Sequence, residues 1–169
     1  MNFYVKKKIK TKNIIINTKV PARGTNKIIK SLEKSESRSM QGQLPLIWAK
    51  ADGHSLFDIA GNKFIDFTST IFVTNIGHSN ENLIKNLKKA LDKKLLHSYA
   101  YFNKSREQYL KSLVKFAGKN FDKAFLMSAG TEATEAALKL MRLNGQKLKK
   151  RKLGIICIDG NWHGRTMGA

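Results

Sequence analysis

The sequence predicts an α/β fold, in which a small antiparallel meander precedes a strand–helix–strand unit of a larger parallel sheet. Between residues 46 and 67, short apolar segments alternate with turn residues, as is typical of neighbouring antiparallel strands. Farther along, apolar segments at residues 123–127 and 154–158 flank a stretch with helical spacing. A strand–helix–strand order implies parallel strands joined by a right-handed crossover, so the second half of the chain is expected to begin a parallel sheet.

The composition is that of a folded domain with a sizeable core. The chain has 169 residues, of which 41% are hydrophobic, and no apolar run reaches the length of a membrane span. No apolar segment typical of a signal peptide follows the N-terminal charges. The single cysteine, Cys157, excludes an internal disulfide and falls in the predicted buried strand at residues 154–158, so a cytoplasmic location is expected. The histidines lack the spacing of a ligand set, and no metal site is predicted.

A net charge of +20 raises a second functional class, a basic nucleic-acid-binding protein. Dense positive runs occur at residues 6–10 and 147–152. Most of the charge is lysine on polar faces of predicted helices, however, and a solvated lysine-rich surface explains it better. No recognition-helix, zinc-finger or aromatic-platform motif accompanies the charge. The salt dependence of binding to duplex and single-stranded nucleic acid would distinguish the two interpretations.

The N-terminal half divides into three predicted parts. Residues 1–24 show no convincing period and are expected to form a flexible basic arm. Residues 25–40 are polar, with a weak apolar side, and are expected to be partly helical. The antiparallel meander follows, with glycine-containing turns between its segments. Its strands are predicted at residues 46–49, 55–58 and 63–67.

The second half is expected to be mainly helical around the two apolar segments. Ser79 is predicted to cap a helix, and another helix is predicted around residues 105–117. On the crossover helix, Glu135 and Lys139 form an i,i+4 pair of the favoured polarity. The apolar face of the helix after Ser79 consists of Leu83, Leu87, Ala90, Leu91 and Leu95.

A small-residue turn at residues 128–133 joins the first predicted parallel strand to the crossover helix. The first turn of a helix presents N–H groups without intrahelical partners at the positive end of the dipole, and this suits a phosphate. The second predicted strand runs into the Trp-His-Gly-Arg segment at residues 162–165. The sequence therefore predicts a phosphate cup, an aromatic ring and an arginine at one edge of one sheet.

These segments resemble the class III pyridoxal-phosphate aminotransferases, which include ornithine, acetylornithine and 4-aminobutyrate aminotransferases. The resemblance covers the chain from about Leu46 to Ala169 and implies the fold type I of pyridoxal-phosphate-dependent transferases, here truncated. Residues 25–78 would be the helix and meander of the small domain, and residues 79–169 the start of the large cofactor-binding domain. Four stretches carry the resemblance in the family's order: DGHSLFDIAGNKFIDFTS, NIGHSN, SAGTEATEAALKLMR and GNWHGRTMGA.

The resemblance assigns the cofactor, pyridoxal 5′-phosphate, to named residues. Ala129, Gly130 and Thr131 are expected to bind the phosphate, because Gly130 lets it approach the backbone and Thr131 adds a hydroxyl. The family usually has Ser or Thr where Ala129 stands, so one side-chain donor is absent. Trp162, where the family usually has Phe or Tyr, is expected to stack on the cofactor ring. His163 is expected to line the same cavity.

Arg165 is the expected substrate-binding residue, because a guanidinium binds a carboxylate with two parallel hydrogen bonds. In the ornithine and acetylornithine relatives, the arginine at this motif position contacts the substrate α-carboxylate. The implied substrates are a small-molecule amino donor and a 2-oxo acid acceptor, with a pyridoxal-phosphate-dependent aminomutase as the alternative within the family. Phe72 and residues 99–102 are weaker candidates for the pocket, since core packing is the commoner role. The turn at residues 75–78 is expected to be structural.

No lysine in the chain has the sequence context of the lysine that forms the Schiff base with the cofactor. That lysine, and the aspartate that pairs with the pyridine nitrogen, are expected beyond residue 169. The chain is therefore expected to be an N-terminal fragment of an aminotransferase that is inactive alone and contains no catalytic residue. In the family, active sites lie at a subunit interface, so a homodimer is expected for the full-length protein. Neither a membrane nor a nucleic acid is an expected partner.

Overall fold

The folded core is built around one antiparallel sheet in the first 65 residues. The computed structural model describes residues 4–5, 7–98 and 100–169. The sheet has five strands in the order β1-β2-β5-β4-β3, and each neighbouring pair is antiparallel. The predicted meander is confirmed as β3, β4 and β5. The strands are β1 (Ile9–Lys10), β2 (Ile15–Ile16), β3 (Trp48–Asp52), β4 (Ser55–Asp58) and β5 (Lys63–Ile65).

The expected flexible arm at residues 1–24 is, in its described part, an ordered hairpin that extends the sheet. Ile15 of β2 pairs with Lys63 of β5. The hairpin also supplies most of the apolar core, since Ile16 is 2% exposed and Val20 is fully buried. The sequence does not reveal this role, because the apolar residues are few and lie among lysines. Their pairing partner, β5, also lies far along the chain. The prediction of a loose arm is therefore corrected.

A buried amide fastens this hairpin to the turn between β4 and β5. Asn62 Oδ1 accepts hydrogen bonds from the backbone N–H groups of Asn17, at 2.9 Å, and Thr18, at 3.1 Å. Its Nδ2 donates to Thr18 Oγ1 and to Asp58 Oδ2, each at 2.8 Å. Because Asn62 is fully buried and Asp58 is 4% exposed, these bonds satisfy polar groups that water cannot reach.

A second polar cluster fixes the chain that leaves the sheet. His78 Nε2 lies 2.7 Å from Asp66 Oδ2, and the His78 ring meets the Trp48 ring edge-on with centroids 6.2 Å apart. The backbones of His78 and Gly53 exchange two hydrogen bonds, of 2.8 and 3.0 Å. Asp66 Oδ1 also accepts from the N–H and hydroxyl of Thr68. The turn that contains His78 thus has the structural role expected for residues 75–78.

Helices make up most of the remaining chain. The predicted polar helix is confirmed as α1 and is followed by a 3₁₀ turn at Arg38–Met40. The cap of the next helix was predicted one residue too early: Asn80 Oδ1 accepts from Leu83 N at 3.1 Å, while the Ser79 hydroxyl donates to the Ala51 carbonyl. A four-residue helical turn lies at Ser69–Phe72. The longer helices are α1 (Thr25–Ser35), α2 (Glu81–Asp92), α3 (Lys104–Ala117) and α4 (Gly130–Leu148).

The two predicted parallel strands at residues 123–127 and 154–158 are absent from the sheet. Both segments flank α4 as expected, but neither is assigned as a strand. A parallel strand is held by hydrogen bonds to neighbours and by layers on both faces. Here Phe125 is 73% exposed, and Cys157, predicted to be buried, is exposed as well. An apolar run predicts a strand whether or not neighbours are present, and this explains the error.

The chain divides into two compact units, Met1–His97 and Ser98–Ala169. Phe72, Tyr101 and Phe102 are exposed, so none of them packs in a core within this chain, and Tyr99 lies outside the described residues. Among the helices in the described ranges, none has both the length and the apolar character needed to cross a bilayer.

Candidate functional site

The N-terminus of α4 is the centre of the candidate site. Ala129 is the residue before the helix, with φ −144° and ψ 160°, and no side chain caps the terminus. Glu132 reaches back and accepts from Ser128 N at 2.9 Å. A Cβ placed on Gly130 would meet no atom within 4 Å, so the space beside its backbone is open. The helix start therefore leaves room for an anion beside its first N–H groups.

The segment at residues 162–169, here called the motif loop, lies directly on this helix start. Thr131 Oγ1 and Thr166 Oγ1 are 2.9 Å apart. Gly164 has φ 142°, and a Cβ built on it would lie 2.6 Å from Thr131 Cβ. Since real Cβ atoms do not approach that closely, only glycine fits at residue 164 with the loop in this position.

Glu135, one turn into α4, holds the far end of the motif loop. Its Oε1 accepts a hydrogen bond from Gly168 N at 3.2 Å. Hydrogen bonds from the Thr166 hydroxyl and, secondarily, from the Gly168 N–H lower the pKa of the Glu135 carboxyl, because both favour its charged form. The predicted pair with Lys139 does not form: no ion pair joins these two described residues. The carboxylate contacts the motif loop instead.

Trp162 and Arg165 are in contact within the motif loop. The guanidinium carbon of Arg165 lies 5.3 Å from the centroid of the Trp162 ring, which is the geometry of a cation–π interaction. The indole is 75% exposed, so most of its surface is open to a ligand. The ring expected to bind the cofactor and the cation expected to bind the substrate therefore form one unit.

The structure brings most of the predicted site residues together around one open cavity of about 480 Å³. Ala129 is not part of the lining and lies immediately before it in the chain. The half-buried His163 lines the cavity. The lining residues are Gly130, Thr131, Thr134, Trp162, His163, Gly164 and Arg165.

Sequence reasoning missed three residues of this arrangement: Gly164, Thr166 and Glu135. Gly164 and Thr166 stand inside the quoted motif, and their small and hydroxyl side chains could have been matched to the helix start. The role of Glu135 is hidden in the sequence because Lys139 stands four residues later on the same helix face, which predicts an ion pair between the two side chains.

Comparison with known proteins places this arrangement in a family. A family model described as "Aminotransferase class-III" matches residues 37–169. The chain is 37% identical over 142 residues to an acetylornithine aminotransferase of Clostridium acetobutylicum, covering 82% of this chain and 35% of that protein. It is also 37% identical over 127 residues to ornithine aminotransferase 2 of Staphylococcus aureus, covering 73% of this chain and 32% of that protein.

A solved structure of an aminotransferase also resembles this chain. The acetylornithine aminotransferase of Elizabethkingia anophelis superposes with a TM-score of 0.67 at 28% identity, over 76% of this chain and 31% of that one. The chain thus spans about a third of the length of the relatives it matches. The family match includes α4 and the whole motif loop. The chain belongs to the class III aminotransferase family.

Proposed function

We propose that the chain is the N-terminal part of a pyridoxal-phosphate-dependent aminotransferase and supplies the subsites for the cofactor phosphate, the cofactor ring and the substrate carboxylate. One observation carries the proposal: the start of α4, the Trp162 ring and the Arg165 guanidinium line the same cavity. The family match supports the reaction class. Because the chain spans about a third of the length of the relatives it matches, we assign the lysine that binds the cofactor to another part of the enzyme.

The residues present fit the cofactor. A phosphate is an anion with several acceptor oxygens, and the open helix start offers backbone N–H donors at the positive end of its dipole. Gly130 has no Cβ to block the approach, and the exposed Trp162 ring is available for stacking. When bound, pyridoxal phosphate acts as an electron sink during amino-group transfer.

The residues of this chain would bind the cofactor and the substrate and set their orientation. Gly130 and Thr131 would hold the phosphate of the cofactor, and the bond between the two threonine hydroxyls fixes the distance from α4 to the motif loop. Trp162 would limit the position of the cofactor ring. Arg165, oriented by its contact with Trp162, presents its planar fork to a carboxylate.

Arg165 favours amino donors that carry an α-carboxylate. Similarity to relatives named acetylornithine and ornithine aminotransferases supports this substrate class. The acceptor is a 2-oxo acid, and the complete enzyme is proposed to be a homodimer. Residues 25–78 are proposed to belong to the small domain and residues 79–169 to the large one.

Replacement of Arg165 by Lys in the complete enzyme tests the proposal. Lysine keeps the charge and loses the fork, so kcat/KM for α-amino acids should fall about tenfold or more. Amines without an α-carboxylate should change by less than about threefold, since they do not use the fork. Arg142→Lys, on α4 and outside the 480 Å³ cavity, is the matched control and should leave both substrate classes unchanged.

The cofactor part is tested by titration of the complete enzyme with pyridoxal phosphate, with the absorption of the cofactor as the readout. Thr131→Ala and Trp162→Ala should each weaken cofactor retention. Cofactor affinity that is unchanged in both variants would refute the site, and an equal loss on both substrate classes in Arg165→Lys would show that Arg165 is structural.

A further inference from the structure

Glu135 is half-buried, and its carboxylate accepts a hydrogen bond from the backbone near the end of the motif loop. It is not among the residues that line the cofactor cavity. Its bond to Gly168 N joins residues 33 apart in the sequence. A Cβ built on Gly168 would lie 3.1 Å from Glu135 Cδ, so the glycine backbone packs directly on the carboxylate.

The motif loop therefore has two attachments to α4. One is the hydroxyl pair Thr131–Thr166, at the helix start. The other is Glu135, one turn later, which bonds to Gly168 and to the same Thr166. Arg165 directly precedes Thr166, the residue shared by both attachments. Two attachments one turn apart fix the loop's orientation, whereas a single hydroxyl pair would leave it free to rotate.

We propose that Glu135 is a positioning residue, whose carboxylate fixes the position of the Arg165 guanidinium relative to the N–H donors at the start of α4. This inference rests on the proposed function, which assigns Arg165 to the substrate carboxylate and the start of α4 to the cofactor phosphate. Loss of the carboxylate should leave the N–H donors at the start of α4 in place while the motif loop, and with it the Arg165 guanidinium, becomes mobile. Substrate binding through the α-carboxylate should then weaken more than cofactor binding.

Three replacements separate geometry from charge. Glu135→Ala removes both bonds. Glu135→Asp keeps the charge but shortens the side chain by one methylene, so the carboxylate no longer reaches Gly168. Glu135→Gln loses the charge but keeps the length and an acceptor oxygen. Lys139→Gln, one turn farther along α4, is the matched control. If the position of the side-chain oxygen matters, Glu135→Gln should behave like the wild type and Glu135→Asp like Glu135→Ala. If the charge matters, Glu135→Asp should behave like the wild type and Glu135→Gln like Glu135→Ala.

Amide hydrogen exchange and nuclear Overhauser effects in the 169-residue chain provide the first readout. Exchange at Gly168 should accelerate about tenfold in Glu135→Ala and Glu135→Asp, and by less than about threefold in Glu135→Gln. The Overhauser effect between the Thr131 methyl and the Gly164 α-protons should weaken in the same order. Exchange in the middle of α4 should stay unchanged, which separates loss of the attachment from loss of the helix.

The second readout is steady-state kinetics of the complete enzyme. Glu135→Ala should raise KM for α-amino acids about tenfold while kcat and cofactor affinity change by less than about threefold. Unchanged Gly168 exchange in Glu135→Ala, or an equal loss of kcat and cofactor affinity, would overturn the inference. If the wild-type enzyme bound no pyridoxal phosphate, the proposed function would fail, while the exchange data would still decide whether Glu135 holds the loop.

Discussion

At the residue scale, Asp66 shows how one carboxylate can hold a turn. Its Oδ1 accepts from Thr68, and its Oδ2 accepts from Thr70 N at 3.2 Å and lies beside His78 Nε2. Its side chain is only 3% exposed. The hydrogen bond to His78, followed by those from Thr68 and Thr70, lowers the pKa of Asp66 below its ordinary 3.8, although burial opposes the shift.

This lowered pKa predicts a loss of stability in acid. A carboxyl whose pKa is lower in the folded state stabilises the fold above its unfolded pKa, and that contribution disappears as the pH falls through the folded value. The free energy of unfolding, measured by urea titration, should therefore fall as the pH drops below about 4. Asp66→Asn should lower it by about 2 kcal/mol at neutral pH and remove this part of the acid dependence.

Asp52→Asn is the matched control, because Asp52 is an exposed carboxyl on β3. It should keep the acid dependence of the wild type. An Asp66→Asn variant with the same slope as the wild type would show that the Asp66 bonds contribute no net stability.

The candidate site was predictable from single residues to different degrees. Trp162 and Arg165 stand in a recognisable motif, so the sequence alone could name them as candidates. Their mutual contact did not follow, because the side-chain rotations that create it are set by the loop conformation. The role of Glu135 depends on a backbone N–H 33 residues away, and no local pattern encodes that partner.

At the scale of elements, Asn62 joins the hairpin of β1 and β2 to the meander. Asn62→Ala removes the acceptor of two backbone N–H groups and a partner of the Asp58 carboxylate, all in a buried or partly buried region. Each polar group left unpaired costs about 1 to 3 kcal/mol, so the variant should lose about 3 kcal/mol of unfolding free energy.

Asn80→Ala provides a comparison, since Asn80 makes a single exposed cap bond at the start of α2. It should cost about 1 kcal/mol. Equal losses in the two variants, measured by urea unfolding, would mean that the Asn62 network does not fasten the hairpin.

The elements differ in how far the sequence determined them. The meander could be predicted because turn residues and alternation are local signals. The pairing of β2 with β5 could not, because strand pairing depends on a partner 48 residues away. The short apolar segments at residues 123–127 and 154–158, on either side of a stretch with helical spacing, predict strands, but a strand also needs hydrogen-bonded neighbours.

At the scale of the whole molecule, the buried core is unevenly distributed. In the described part of the chain, the buried apolar residues Ile16, Val20, Ala22 and Leu56 all lie within the unit Met1–His97. The unit Ser98–Ala169 keeps Phe125, Ile156 and Ile158 largely exposed. Since apolar burial is the main source of stability, the two units should differ in resistance to unfolding.

Hydrogen exchange followed by mass spectrometry should show this difference. Amides of β2, β4 and β5 should be protected against exchange for much longer than those of α3 and α4. The exposed apolar groups should also make the 169-residue chain prone to association, despite its net charge of +20. Equal protection in both units, in a monodisperse sample, would contradict this expectation.

The exposed Cys157 has a consequence for how such association must be interpreted. It is the single thiol in the sequence, so a covalent dimer formed on oxidation can only be a Cys157–Cys157 pair. A dimer that disappears with reductant would therefore report thiol chemistry rather than the subunit interface of an aminotransferase. The same thiol accepts a fluorescent or spin label at one defined position, without any substitution, five residues after the end of the basic run at residues 147–152.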